Sequence, residues 1–417
     1  MALRLLPSTM SAPMLSRRLL LTETVSSAAA VGRWSRFAIN ASVWSHNWLK
    51  PAAISLNIPG IMEGLWDSVL RAVPKKKTSH MKKRHRQMAG KALKDVKSLS
   101  TCSGCGQSKQ YLSCGSADNA HPVDIFALAV TDKQILSASG TSSLKVHSTT
   151  DPDFPLVQSI DGAHKVGCHH VVTNGNGSRA VSIGFGGEIM IWSCHDGVWA
   201  KDEGASVNKA TPADVWAIAL SEDGQYLAGV TQDGHIKVWD LDTNGEEIRD
   251  YETKGSFGTC IDLSADGRFI ASGHENGSVY IFSTESGRMP FSLSGLVKPV
   301  RAVAFSPGGK FLAAAGDSKV IVLYDTSSGE QVASLSGHTA WVMSLSWSPT
   351  GEYLLSGSFD GKVKVWSIDT RACVATHSET EKAIWSVKWL AKIGRSVGFA
   401  TAGANRSISF YREATGG

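Results

Sequence analysis

From about residue 108 to residue 412, apolar and polar positions alternate in short runs separated by Gly-containing turns. A period of two is the mark of half-buried strands, and tight turns between such runs mark hairpins. The alternation recurs with a period of roughly 40 residues, which calls for a solenoid or a propeller. Three copies are clear: Val215–Asp240, Val300–Asp325 and Gly337–Ser367. Aligning the ends of their third strands gives His147, Trp192, Trp239, Phe282, Tyr324, Trp366 and Tyr411. Seven endings predict seven four-stranded blades, an all-β propeller over residues 108–417. They also explain part of the high Trp content, 13 residues, since a large ring at each third strand can pack between blades.

A ring of blades must close. The last copy ends at Ile408–Arg412, and five residues are too few for a fourth strand. The missing outer strand is expected upstream, around Lys109–Ser113, which would remove an exposed sheet edge. The position after the first apolar residue of the inner strands holds Phe126, Trp216, Thr259, Arg301, Met343 and Trp385. An Arg in this series places the position at solvent, at the rim of the central channel. Phe126, Trp216, Arg301, Met343 and Trp385 are therefore the candidate partner-binding residues, exposed together at one mouth.

Residues His338, Ser356, Asp360 and Trp366 resemble the buried His–Ser–Asp–Trp hydrogen-bond network of WD-repeat propellers, a structural device. The same positions recur as turn and packing sites, which argues against a catalytic triad. Ser108–Ser113, Asp124–Val130, Ile135–Gly140 and Leu144–Thr150 resemble the N-terminus of the fungal WD-repeat subunit of the superkiller complex, a family also known for meiotic recombination. That resemblance implies a cytoplasmic and nuclear scaffold. Its partners would be a tetratricopeptide scaffold subunit and a helicase subunit that feeds messenger RNA to the exosome.

Charge divides the chain. The first 97 residues carry a net +13 and the remainder a net −8, which together make the +5 of the whole. Within residues 1–70, the stretch up to Gly60 has six Lys/Arg and one acid, Glu23, amid abundant Ser, Ala and Leu. This basic, hydroxylated, acid-poor composition is that of a mitochondrial transit peptide. The Leu19–Leu21 run is too short for a secretory signal core. No apolar stretch in the chain reaches the ~18–20 residues of a membrane span.

Residues 71–107 form a second unit. Between Arg71 and Lys97 lie eleven Lys/Arg and one acid, Asp95. Such a run must be solvated or neutralised by a polyanion, and cations on phosphates bind tightly by releasing counterions. The candidate RNA-binding residues are Lys75, Lys76, Lys77, His80, Lys82, Lys83, Arg84, His85 and Arg86. The order Ala72–His80, Arg84–Arg86, then Cys102-Ser-Gly-Cys105 resembles bacterial-type ribosomal protein L-thirty-two in its fungal mitochondrial form. That resemblance implies contact with ribosomal RNA and with proteins of the large subunit, and a zinc ribbon. Structural zinc needs four ligands, yet only Cys102 and Cys105 are paired here. Cys114 has no partner three residues on. The ribbon is cut in half, zinc would need Cys114 or His121 to be recruited, and no other cofactor is implied.

No glycine-rich phosphate loop, nucleophile elbow or metal constellation occurs, so an enzyme is not expected. Seven scattered cysteines favour reduced thiols in an intracellular protein. Two functions with conflicting compartments remain: a structural constituent of the mitochondrial large ribosomal subunit, and a protein scaffold in cytoplasmic messenger-RNA decay. The units abut between Gln107 and Ser108 without a flexible linker, the pattern of two neighbouring genes joined in one reading frame. A joined chain would be carried to mitochondria by its leader.

Overall fold

In the computed structural model the described residues are 111–413, apart from 205–206, 208–214, 255, 294 and 393–396. The leader, the basic unit and Cys102 and Cys105 lie outside them.

Seven four-stranded antiparallel sheets form, as the repeat predicts. In blades 1 to 6 the chain runs from an inner strand through three hairpins to an outer strand. Blades 1 to 6 are built from consecutive strands. Blade 7 is not: its inner three strands are Ile384–Trp389, Gly398–Gly403 and Ile408–Glu413, and its outer strand is Tyr111–Ala117. The register pairs Tyr111 with Glu413 and Ala117 with Ile408, with a bulge between Ser113 and Gly115. Among the described residues the closing strand takes in the expected Tyr111–Ser113 and runs four residues beyond, to Ala117; Lys109 and Gln110 lie outside the described residues.

All seven aligned ring positions lie on third strands and are buried, from Tyr324 at 1% exposure to Tyr411 at 9%. All but His147 belong to apolar clusters that each draw on two neighbouring blades. Tyr324 packs with Cys260, Val279 and Phe305 between blades 4 and 5, and Trp366 with Val342, Leu345 and Leu354 against blade 5. Blade 7 meets blade 1 in the same way, through Ile408, Phe410, Ile125, Leu128 and Ile135. Each fully buried Leu, Ile or Phe contributes about 1.5–3 kcal/mol, so the ring is held by seven such seams as well as by the closing strand.

Phe154, in the left-handed region at φ 46°, stacks flat on Phe410 with ring centroids 3.8 Å apart. Arg412 Nη2 donates to Thr149 O at 2.8 Å. Together these tie the last third strand to the first blade.

Candidate protein-interaction surface

The inner strands share one irregularity. In all seven the pairing register slips at the second residue: Phe126, His169, Trp216, Thr259, Arg301, Met343 and Trp385. A β-bulge leaves one residue unpaired and re-aims its side chain. Here the bulge lifts the series toward the mouth of the channel. Phe126, Arg301, Met343 and Trp385 line the channel, as does Thr259. Trp216 is beside the channel and not on its wall.

The predicted rim differs from the observed one in two respects. The five candidates are half-buried, not openly exposed, because they pack on one another and on residues the repeat pattern did not single out. Ring contacts run in an unbroken arc around the mouth. Trp341 meets Phe359 at 5.7 Å, Phe359 meets Trp385 at 5.9 Å, and Trp385 meets Phe126 at 5.7 Å. Phe126 then meets Phe185 at 5.6 Å, and Phe185 meets His169 at 4.9 Å. His169 stacks on Trp216 at 4.5 Å, and Trp216 meets Phe257 at 5.7 Å. Phe185 and Phe359 come from hairpins between second and third strands, and Phe257 and Trp341 from the loops before inner strands. Those two kinds of loop share one face of a propeller, so the tertiary fold alone assembles the arc.

Polar anchors hold the rings. Trp385 Nε1 donates to Asp124 Oδ2 at 3.3 Å. His169 Nε2 donates to Trp216 O at 2.8 Å, and burial pushes its pKa down to about 4, so it is a neutral ring at physiological pH. Arg301 makes a bidentate pair with Asp317, at 2.8 and 3.0 Å, while its guanidinium lies 5.6 Å over the Trp341 ring. Thr259 is buried and donates to Gly273 O at 2.9 Å. Among the described residues, the large apolar groups open to solvent on this face are Trp341 and Val123, each 38% exposed, with Val166 at 57% and Val297 at 88%.

The blade 6 network is present as a closed set of hydrogen bonds. His338 Nε2 lies 2.8 Å from Ser356 Oγ, Trp366 Nε1 donates to the same Oγ at 2.8 Å, and His338 Nδ1 lies 3.1 Å from Asp360 Oδ2. Burial works against the Asp360 carboxylate, but His338 and the Thr339 and Lys362 N–H groups hold its pKa well below the usual range. Ser356 is fully buried and bonded on both sides, with no path for a substrate. Blade 2 repeats the arrangement with His164, Ser182 and Trp192, at 2.7 and 2.8 Å, with Glu188 in the place of the aspartate.

His121, considered above as a zinc ligand, belongs to the same kind of corner in blade 1. Its Nε2 and Nδ1 lie 2.8 Å from Ser137 and Ser139 hydroxyls, and it is completely buried. Both ring nitrogens are engaged, so the folded blade withholds it from a metal. Cys114 lies in the closing strand. Among the described residues no cluster of three or more His, Cys, Asp or Glu could hold a metal.

The fold and its repeated His–Ser–Trp corners define a WD-repeat β-propeller. Four segments, residues 206–240, 252–283, 289–325 and 329–367, match the family described as WD domain, G-beta repeat. Within it, the chain belongs to the family of Meiotic recombination protein rec14 of Schizosaccharomyces pombe, 45% identical over 306 residues, 73% of this chain and 98% of that protein. Ahead of the propeller, residues 72–111 match the Ribosomal L32p protein family. That match ends at the residue where the closing strand begins. The Large ribosomal subunit protein bL32m of Neurospora crassa is 58% identical over 81 residues, 19% of this chain, and its S. pombe counterpart 52% over 59 residues, 13% of this chain. The chain spans 60% and 56% of those two proteins. Both families are typically non-enzymatic.

Proposed function

We propose that the propeller is a protein-interaction scaffold that takes apolar anchors of its partners on the face ringed by Phe126, Met343, Trp385, Trp216 and Arg301. The observation that carries this reading is the arc of aromatic contacts from Trp341 to Phe257 around the channel mouth. Pre-packed aromatic rings lose little conformational freedom on binding, which is why they serve as interface anchors. The resemblance to the superkiller WD-repeat subunit makes a tetratricopeptide scaffold and a helicase subunit the expected partners, in exosome-linked messenger-RNA decay. The relative named for meiotic recombination extends the role to that process, in cytoplasm and nucleus.

The test is co-purification of the tetratricopeptide subunit with Trp385→Ala and Trp216→Ala variants, each checked for a folded circular-dichroism spectrum. Loss of at least about tenfold in affinity is expected for Trp385→Ala, as for a hot-spot ring. Unchanged capture by both variants would overturn the reading.

A second reading applies to the N-terminal part. Its similarity to bL32m supports a constituent of the mitochondrial large ribosomal subunit, with Lys75–Lys77, His80 and Lys82–Arg86 on ribosomal RNA. The leader would direct it there. The truncated ribosomal relative beside a nearly complete propeller relative supports two joined genes. The tryptic peptide Ser98–Lys109 spans the join. Its repeated detection in cell extracts would sink that view; peptides from the two sides in separate fractions, without it, would support it.

A further inference from the structure

Trp385 has ring neighbours on both sides, yet neither its strand nor its packing fixes which way the indole faces. It is the bulge residue of its inner strand, between the paired Ile384 and Ser386, so the ladder does not set its direction. Phe359 meets it edge-on at 80° and Phe126 at 55°. Those contacts bound the ring, but the last torsion of a Trp side chain is broad and roughly twofold. What selects one orientation is the hydrogen bond from Nε1 to Asp124 Oδ2.

A group that orients another must itself be fixed. Asp124 ends a strap, residues 118–124, that leads from the closing strand to the inner strand of blade 1. The strap crosses the seam where the ring closes and is held on both sides of it. On blade 7, Asn119 N donates to Ser407 Oγ at 3.2 Å and His121 N to Arg406 O at 3.3 Å. On blade 1, Lys145 Nζ donates to Ala120 O at 2.6 Å, and the buried His121 ring sits between the Ser137 and Ser139 hydroxyls. Gly140 N donates to the Asp124 carbonyl at 3.3 Å. One residue beyond Trp385, Ser386 Oγ accepts from Leu128 N at 3.1 Å, which keeps the inner strands of blades 7 and 1 in step. Asp124 and Trp385 therefore meet from two blades that several other bonds already hold together.

We infer that Asp124 is the positioning residue of the crown: its carboxylate sets the Trp385 ring in the orientation that a partner's apolar anchor meets. The inference rests on the reading of this face as the partner surface. Asp317 does the corresponding work for Trp341 at one remove, through the Arg301 guanidinium over that ring. A preset ring has less rotational freedom to lose when a partner binds, and that difference is the strap's contribution to affinity. The closing strand that completes blade 7 leads directly into the strap, so closure of the ring and the setting of Trp385 share one segment.

The experiment combines capture of the tetratricopeptide subunit by the full chain with the indole N–H spectrum of the same chain carrying nitrogen-labelled tryptophan. The Trp385 resonance is identified by its absence from Trp385→Phe. Asp124→Leu should move that resonance and weaken capture about fivefold, as for one side chain whose ordering is left to the binding step. Asp124→Asn keeps an oxygen acceptor and should hold capture within about twofold of the natural chain, with the resonance near its place. Asp124→Ser, too short to reach the indole, replaces Asp124→Leu if the latter lowers the unfolding midpoint. In the Trp385→Phe background there is no N–H to orient, so Asp124→Leu should cost nothing further, the non-additivity of residues that act through one another. An unmoved Trp385 resonance in Asp124→Leu would overturn the inference. So would a further loss of capture in the Trp385→Phe background, which would make Asp124 a direct partner contact. Full capture by Asp124→Leu beside lost capture by Trp385→Ala would sink the inference and leave the crown reading standing, whereas unchanged capture by Trp385→Ala strikes the crown reading itself.

Discussion

In blade 6 the corner beside the crown holds His338, Ser356, Asp360 and Trp366. In blade 1 the corresponding corner holds His121, Ser137, Thr141 and His147, fixed by the same strand pairings. The carboxylate has become a hydroxyl, and Thr141 Oγ1 lies 2.6 Å from Ser139 Oγ. The indole has become an imidazole whose Nδ1 is buried without a partner. Lys145 fills part of the gap and donates to Ala120 O at 2.6 Å. The result is two buried neutral histidines beside a cation: burial and the Lys145 charge push His121 down to about 3 and His147 to about 4. One corner is stabilised by an ionised group and a large ring; the other depends on its histidines staying neutral.

The largest expected effect separates the two rings. Trp366→Ala should cost about 3–5 kcal/mol, since it empties a fully packed site between blades. His147→Ala should cost about 1 kcal/mol, because it also removes an unpartnered buried nitrogen. Denaturant unfolding of both variants checks this, and equal losses would show that the corners are equivalent.

Acid is the next probe. Above pH 6.5 His121 is neutral folded or unfolded. Below that, the unfolded chain takes the proton first, so blade 1 loses stability as pH falls, by about 1.4 kcal/mol per pH unit per such histidine. Asp360 behaves differently: its contribution is intact above its ordinary 3.8 and disappears only as pH falls below it. Hydrogen exchange at about pH 4–6 should therefore open blade 1 while blade 6 stays protected. Simultaneous opening would contradict the comparison.

The smallest effect comes from converting one corner into the other. Thr141→Asp puts a carboxylate where blade 6 has Asp360. It should raise the pKa of His121 by about one unit or more, read from its imidazole resonances in an NMR titration. An unmoved His121 would mean that the blade 1 backbone does not bring position 141 to the ring.

Much of the propeller was legible in the residues. The third-strand rings, from His147 to Tyr411, mark seven blades because a large side chain recurs where blades touch. The need for an upstream closing strand followed from counting strands after Ile408, and its described part, Tyr111–Ala117, runs past the expected Ser113 because register is set by pairing with Ile408–Glu413. The candidate rim was legible in part. Phe126, Met343, Trp385 and Arg301 were found as one strand position, but Phe185, Phe257, Trp341 and Phe359 lie in loops with no periodic mark. His121 looked like a stray ligand because its two serines are 16 and 18 residues away along the chain.

Sequence alone determined the number of blades, the charge division near residue 100 and the two resemblances that meet there. Those follow from local rules: strand period, turn residues and the density of charge. Tertiary structure decided which aromatic groups form the crown, that the bulge sits at the same position of every inner strand, and that Lys388 and Asp262 share the channel. These depend on bringing seven separate strands around one axis, where residues far apart in the chain become neighbours and their burial, pairing and charge are set together.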